Sequence, residues 1–252
     1  MNADTGQRLA LTWLGHATVL LELDGARLLT DPVLPDRIGP LVRVAPSVDR
    51  NGLRHIDGVL LSHLHADHTD LRSLRAIAAM VPVLAPYRAA AWLARKGLSD
   101  VRDLRAGDEH RIGAVNVKAV PAAHDRRRRP LGPAADPVGY VVRGSRSAYF
   151  AGDTDLHHTM AGLRGSIDVA LLPVWGWGRS VGPGHLDPAS AARAAALIAP
   201  AVAIPIHWGT FALPLIARRD LEQPAHEFAA LTSRYAPNVD VQVLAPGERT
   251  II

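Results

Sequence analysis

"LLSHLHADHTD", residues 60–70, brings three histidines and an aspartate into six positions behind a short apolar run. The preceding "DGVLLSH" reads as a buried strand whose carboxyl end is His63. In open α/β sheets, ligands gather outside such strand ends. In a bent loop His63 and His65 lie two residues apart and converge on one ion, while Asp67 and His68 turn toward a second. The chain has 12 histidines in 252 residues. A chance H-x-H-x-D-H is then expected on the order of once in several hundred such chains. A metal site is therefore the better explanation of the cluster.

Outward from this loop, the β-branched and aliphatic runs "LALTWLG", "ATVLLEL", "ARLLTDP", "VPVLAP", "AVNVKAV", "VGYVVRG", "SAYFAGD", "DVALLPV" and "AVAIPIH" are bounded by Gly, Pro or Asp and read as strands. Asp24-Gly25 is a favoured tight turn between two of them. Helical stripes fall between and after. "TDLRSLRAIAAMV" aligns Leu71, Leu74, Ile77 and Val81, and "PYRAAAWLARKG" runs from Pro86 to Gly97. "DPASAARAAALIAP" has Asp187 as N-cap and Pro200 as stop, and "PAHEFAALTSRYAP" is a last helix bracketed by prolines. Strands interspersed with helices imply an α/β layered fold. With no repeat, low-complexity tract or long linker, one domain over residues 1–252 is the simplest organisation.

Composition narrows the chemistry. There is no cysteine, so any metal is held by histidine and carboxylate. The N-terminal apolar stretch is broken by Gly15, His16 and Thr18 and lacks a basic start, which does not match a signal peptide. No run of about 18 apolar residues is available to span a bilayer. A cytoplasmic location is expected. The net charge of +4 rests on arginine, because Lys96 and Lys118 are the only lysines. The dense cluster Arg126 to Arg129 is open to two readings, a solvated loop or a binding patch.

Further strong donors follow other buried runs: His124 after "VNVKAVPA", Asp153 at the end of "SAYFAGD" and His207 at the end of "VAIPIH". With these in place the chain, from about Leu11 to His207, resembles the metallo-β-lactamase superfamily. "HLHADH" matches its H-x-H-x-D-H signature, and "FAGDT" and "PIHWGTF" look like its later ligand motifs. The resemblance implies a four-layer αββα sandwich with a dinuclear site at the open edge of two sheets. It implies that His63, His65 and His124 hold one metal, that Asp67, His68 and His207 hold the other, and that Asp153 bridges them. Zinc suits this donor set best, with manganese or iron as alternatives. "TWLGHATVLLEL", "LLTDPVL", "YFAGDTD", "GHLDP" and "IPIHWGTFAL" are similar to the branch containing N-acyl phosphatidylethanolamine phospholipase D and L-ascorbate 6-phosphate lactonase.

The resemblance implies a hydrolase whose nucleophile is a metal-bridging hydroxide, generated as paired dications lower the pKa of water toward about 7. Asp67 would orient it. Two dications less two carboxylates and one hydroxide leave a surplus near +1, which favours an anionic group on the substrate. A phosphodiester, including a lipid-like one, fits first. A phosphorylated sugar lactone is the alternative, followed by a nuclease and a non-catalytic metal-binding module. No specific nucleic-acid partner is expected, because no added domain or arm is apparent.

Around the expected site, Arg126 and Arg127 leave directly from His124 and are candidates to clamp an anion bidentately. His185 in "GPGHLDP" reads either as a locally bonded loop residue or, as the resemblance favours, as a proton donor to a leaving oxygen. Trp175 and Trp177 in "VWGWGRS" are candidates for an apolar wall, with core packing the competing view. His16, in a turn between two strands, reads as structural or supporting rather than catalytic.

Overall fold

Both residues of the Asp24-Gly25 turn take positive φ, 49° and 81°, as a tight hairpin turn requires. The turn joins two strands of an opening antiparallel meander. The structure is a computed structural model and describes residues 8–78, 81–128, 132–175, 182–213 and 219–252. Its strands are β1 (Leu9–Gly15), β2 (Thr18–Leu23), β3 (Ala26–Thr30), β4 (Arg37–Ile38), β5 (Leu41–Arg43), β6 (Gly58–Leu60), β7 (Val83–Pro86), β8 (Val101–Leu104) and β9 (Glu109–Ile112). They continue as β10 (Val115–Pro121), β11 (Val138–Arg143), β12 (Ser147–Phe150), β13 (Val169–Pro173), β14 (Val202–Ile206), β15 (Phe211–Ala212), β16 (Asp240–Val241) and β17 (Arg249–Ile251). The α-helices are α1 (Leu71–Ile77), α2 (Ala90–Arg95), α3 (Pro188–Ile198) and α4 (Arg219–Tyr235).

Two seven-stranded sheets carry the fold, in the orders β17-β1-β2-β3-β6-β7-β8 and β16-β14-β13-β12-β11-β10-β9. Each sheet is antiparallel in one half and parallel in the other. In the first, β1, β2 and β3 run antiparallel, and β3, β6, β7 and β8 run parallel. The second repeats the plan, with β9 to β12 antiparallel and β12, β13, β14 and β16 parallel. Parallel pairing needs a crossover between successive strands. That requirement places α1 and α2 on one sheet and α3 and α4 on the other.

The sheets meet through alternate side chains. Leu9, Leu11 and Trp13 of β1 are fully buried in the same core as Tyr140, Val142 and Phe150 of the second sheet. Each large apolar side chain so enclosed contributes about 1.5–3 kcal/mol relative to exposure. On the outer face of the first sheet, Leu74 of α1 and Leu93 of α2 pack with Val59, Leu61 and Ala85. On the far side, Ala191, Ala192, Ala194 and Ala195 of α3 and Phe228 of α4 join the main core. The result is the expected four-layer αββα sandwich.

Local signals explain the helix boundaries. Asp187 caps α3 by accepting from the Ser190 amide, Ser190 answers with a reciprocal bond, and Ala199 closes the helix in a left-handed turn at φ 49°. Two expectations are corrected: α2 spans Ala90–Arg95, with Pro86 ending β7 rather than opening the helix, and α4 begins at Arg219, so Pro224 lies inside the helix rather than at its start. Pro224 is the sixth residue of α4, past the first four amides that lack an intrahelical acceptor, so it removes one i→i−4 hydrogen bond from the helix. Such a residue marks the neighbourhood of an N-terminus more reliably than the terminus itself.

This topology sets up the site. Asp31, His63, Asp153 and His207 all fall just beyond the carboxyl ends of parallel strands (β3, β6, β12 and β14). The antiparallel strand β10 brings His124 to the same edge.

Candidate metal centre

At the open edge of the two sheets, His63, His65 and His124 each offer a ring nitrogen to one small volume. Beside it, His68, His207, Asp67 and His16 form a second such group. Asp153 lies between them. Its Oδ2 is 3.0 Å from His68 Nε2 and 3.8 Å from His63 Nε2, and its Oδ1 is 3.3 Å from His207 Nε2. The geometry thus gathers all seven residues expected to ligate metal.

The outer nitrogens of these rings are already engaged. His65 Nε2 donates to the Arg127 carbonyl at 2.8 Å, and His124 Nδ1 to the Gly184 carbonyl at 2.7 Å. His207 Nδ1 donates to the Trp175 carbonyl at 2.6 Å, and His68 Nδ1 meets Asp31 Oδ2 at 2.7 Å. A neutral imidazole has one donor nitrogen and one acceptor. A ring that donates outward to a carbonyl therefore turns a bare lone pair inward. With both rings neutral, His65 Nδ1 and His124 Nε2 face each other at 3.0 Å as two acceptors, an arrangement that a metal ion between them would satisfy. His63 Nε2 and Asp153 Oδ1 are buried with no hydrogen-bond partner, and unpaired buried polar atoms are costly. The residues present fit a pair of metal ions.

The electrostatics agree. Burial holds His63 well below its usual range, pushes His124 down to about 4 and His16 down to about 3, and lowers His207, so these rings are neutral donors at pH 7. Burial works the same way on His68, but Asp153 and Asp67 outweigh it and raise that ring well above the ordinary value. Burial opposes ionisation of Asp153 too, yet His207 and His68 hold its carboxyl well below the carboxylate range. This position calls for positive charge, as a metal ligand set does.

A profile for the family described as Beta-lactamase superfamily domain matches residues 26–208, which include all seven residues expected to ligate metal. The chain belongs to the metallo-β-lactamase superfamily. It is a metal-dependent hydrolase of the UPF0173 family. It is 33% identical to the UPF0173 metal-dependent hydrolase of Methanopyrus kandleri, a match covering 95% of this chain and 98% of that one. An uncharacterized protein of Mycobacterium tuberculosis is 32% identical over 96% of this chain and 68% of its own length. Among solved structures, Igni18, a metallo hydrolase from Ignicoccus hospitalis, superposes with a TM-score of 0.75 at 22% identity, covering 97% of this chain and 98% of its own. At that identity the likeness shows the fold alone.

Behind the ligands of this superfamily member lies a carboxylate whose role is not apparent in the sequence. Asp31 takes His68 Nδ1 on one oxygen, accepts the Ser62 amide on the other at 2.7 Å, and also receives the Ser62 hydroxyl. Ser62 Oγ lies 2.9 Å from His63 Nδ1. A single buried carboxylate thus orients one ring of each subsite. Such partners fix both the tautomer and the direction of a ligating histidine. The only hint in the sequence is the position of Asp31 at the end of a strand, where "TDP" otherwise reads as a turn.

His16 is also closer than its reading as a turn residue suggested. Its ring is 1% exposed, stands 3.8 Å from the His207 ring centroid, and sets Nε2 3.2 Å from Asp67 Oδ2. His185 reaches the site from the loop before α3. Its Nε2 is 3.6 Å from Asp153 Oδ2, its side chain is 30% exposed, and its ring meets the edge of His124.

The residues expected to line the substrate divide. Arg126 forms an ion pair with Asp136, and Arg127 touches the site through its carbonyl on His65. Arg128 turns inward, donating to the Thr69 carbonyl at 3.1 Å and to that of Leu64, and so braces the H-x-H-x-D-H loop. Trp175 packs partly buried against the main core and supplies the carbonyl that orients His207. Trp177 and Arg129 lie outside the described residues.

Proposed function

We propose that this hydrolase holds two metal ions, one on either side of Asp153, and cleaves an anionic phosphodiester. The observation that carries the reading is the facing pair His65 Nδ1 and His124 Nε2, two acceptors 3.0 Å apart, together with the unpartnered His63 Nε2 and Asp153 Oδ1. His63, His65 and His124 would hold one ion and Asp67, His68 and His207 the other, with Asp153 shared. Zinc is the ion that this nitrogen-rich, thiol-free set favours. When bound, such a pair supplies Lewis acidity and an ionised water at neutral pH.

The residues of the chain do the rest. Asp67, 17% exposed and fastened to His16, is placed to orient the attacking water. His65, His124, His185 and Asp67 are the half-buried members of the cluster, so the substrate approaches from their side. His185, within reach of Asp153, is placed to give a proton to the leaving oxygen. Exposed Arg126 and Arg127 next to this mouth favour a negatively charged substrate through long-range attraction even without a fixed contact. The likeness to the phospholipase D and ascorbate-phosphate lactonase branch rests on the sequence motifs and forms part of the same proposal. So does the cytoplasmic setting; among the described residues no helix is long and apolar enough to cross a membrane.

The test is a single panel of bis(4-nitrophenyl) phosphate, a phosphorylated sugar lactone and a neutral lactone, offered to zinc-loaded and chelator-treated protein. Chelator-sensitive release from the phosphodiester is expected. Turnover of the phosphorylated lactone alone would replace this substrate class with the lactonase reading, and turnover of the neutral lactone alone would contradict both.

A further inference from the structure

The turn between β1 and β2 is built with unusual care for a connection two residues long. His16 takes φ 52°, in the left-handed region that non-glycine residues rarely adopt. Its backbone is fixed on both sides: the amide donates to Thr210 Oγ1 at 2.6 Å, and the carbonyl accepts from the Trp13 indole at 2.9 Å and from the His207 amide at 3.0 Å. Gly15 before it has φ 110°, and a Cβ there would come within 2.7 Å of Thr210 Cγ2. His207 is itself left-handed at φ 66°. Two strained histidines are thus hydrogen-bonded backbone to backbone with their rings in contact. Strain of this kind costs on the order of 1–3 kcal/mol per residue and persists where the surroundings impose it.

The result of that strain is a ring aimed into the cluster. One donor atom from each of His16, Asp67, His68 and His207 lies within 4.8 Å of those of the other three. Asp67 Oδ2 is 3.2 Å from His16, 3.7 Å from His68 and 3.8 Å from His207, and the last two nitrogens are 3.1 Å apart. Two donors each about 2.0–2.2 Å from one ion lie no more than about 4.4 Å apart, so these separations suit a shared ion. For a charge-assisted hydrogen bond, normally about 2.7–2.9 Å, the 3.2 Å between His16 and Asp67 is long.

We infer that His16 is a metal ligand, a further protein donor of the subsite formed by Asp67, His68 and His207 together with the shared Asp153. This inference rests on the two-metal reading above. It makes the two subsites unequal. The set of His63, His65 and His124 has three nitrogens and is half-open to solvent through His65 and His124, as a site that keeps a position for water or substrate does. The His16 set has four donors of its own beside the shared Asp153, three of the four buried, and so is the more enclosed of the two. The enclosed ion then anchors the loop and Asp67, and the open one meets the substrate.

The test is equilibrium zinc titration of the apoprotein against a competing chelator, with His16→Asn and His16→Gly compared to wild type. Asparagine tolerates the left-handed backbone and still hydrogen-bonds Asp67, but it is a poor zinc ligand. Glycine tolerates the backbone and leaves room for free imidazole. We expect His16→Asn to weaken one zinc equivalent by roughly 100-fold or more and leave any other unchanged. In His16→Gly the same loss is expected, with recovery on adding imidazole. Wild-type zinc affinity in His16→Asn, with near-ultraviolet circular dichroism unchanged, would overturn the inference and reduce His16 to a support for Asp67. Failure of imidazole to restore zinc in His16→Gly would also count against a ligand role. The wild-type stoichiometry reports separately on the two-metal reading, so each can fail without the other.

Discussion

Asp31 Oδ2 lies 2.7 Å from Nδ1 of the proposed ligand His68, and both side chains are fully buried. Through Ser62 the same carboxylate reaches His63, so one residue governs ring direction in both subsites. Asp31→Asn keeps the shape, but the amide replaces one acceptor oxygen by a donor. The variant is expected to bind zinc 10–100-fold more weakly and to lose about 1–3 kcal/mol of stability. Chelator competition and urea unfolding read the two effects, and wild-type values in both would remove Asp31 from the account.

Gly152 takes φ 61° immediately before Asp153, and a Cβ on it would come within 2.4 Å of Ser62 Cβ. Gly152→Ala therefore strains the backbone and pushes on the residue that links Asp31 to His63. A stability loss of about 1–3 kcal/mol should accompany weaker metal retention. An unperturbed melting temperature would show that the sheet edge yields more easily than this packing implies.

His185 approaches Asp153 from the exposed side without belonging to either principal ligand set. His185→Ala should lower kcat for a phosphodiester by about 100-fold while metal content stays at the wild-type level. Loss of metal instead would reassign the residue to coordination.

Asp67→Ala removes a proposed ligand and the group expected to orient the nucleophile, from a loop position that is partly exposed. Hydrolysis should fall by at least about 100-fold with the circular dichroism spectrum intact. Unchanged turnover would contradict the proposed mechanism.

Acid should destabilise the metal-free protein. His16, His63, His124 and His207 have folded values below the ordinary histidine range, two of them at about 3 and about 4. Below about pH 6.5 the unfolded chain takes up protons that these folded rings accept only at lower pH, so stability falls as pH falls through that window. His68 and Asp31, both raised, act in the opposite sense but are outnumbered. The urea midpoint of apoprotein is expected to be lower at pH 5 than at pH 7, and an equal or higher midpoint would show that the His68–Asp31 pair dominates.

Much of this site is legible in the chain because ligand type and strand end coincide. His63 to His68 are neighbours in sequence, and His124, Asp153 and His207 each close a buried run, so local pattern suffices to nominate them. Asp31 is hidden because its function depends on partners 31 and 37 positions away. The orientation of His16 depends on a left-handed backbone held by Thr210, 194 positions distant. The arginine cluster shows the converse limit: Arg126, Arg127 and Arg128 are adjacent, yet one pairs with Asp136, one works through its carbonyl and one braces Leu64 and Thr69. Composition reports their charge and not their direction.

The most direct measurement is the metal content of the purified protein, before and after chelation and reloading, together with its thermal midpoint. Imidazoles whose bare nitrogens face each other predict about two ions per chain, a lower midpoint when they are removed and recovery when zinc is restored. A chain that takes up no zinc, manganese or iron and melts at the same temperature throughout would contradict the account.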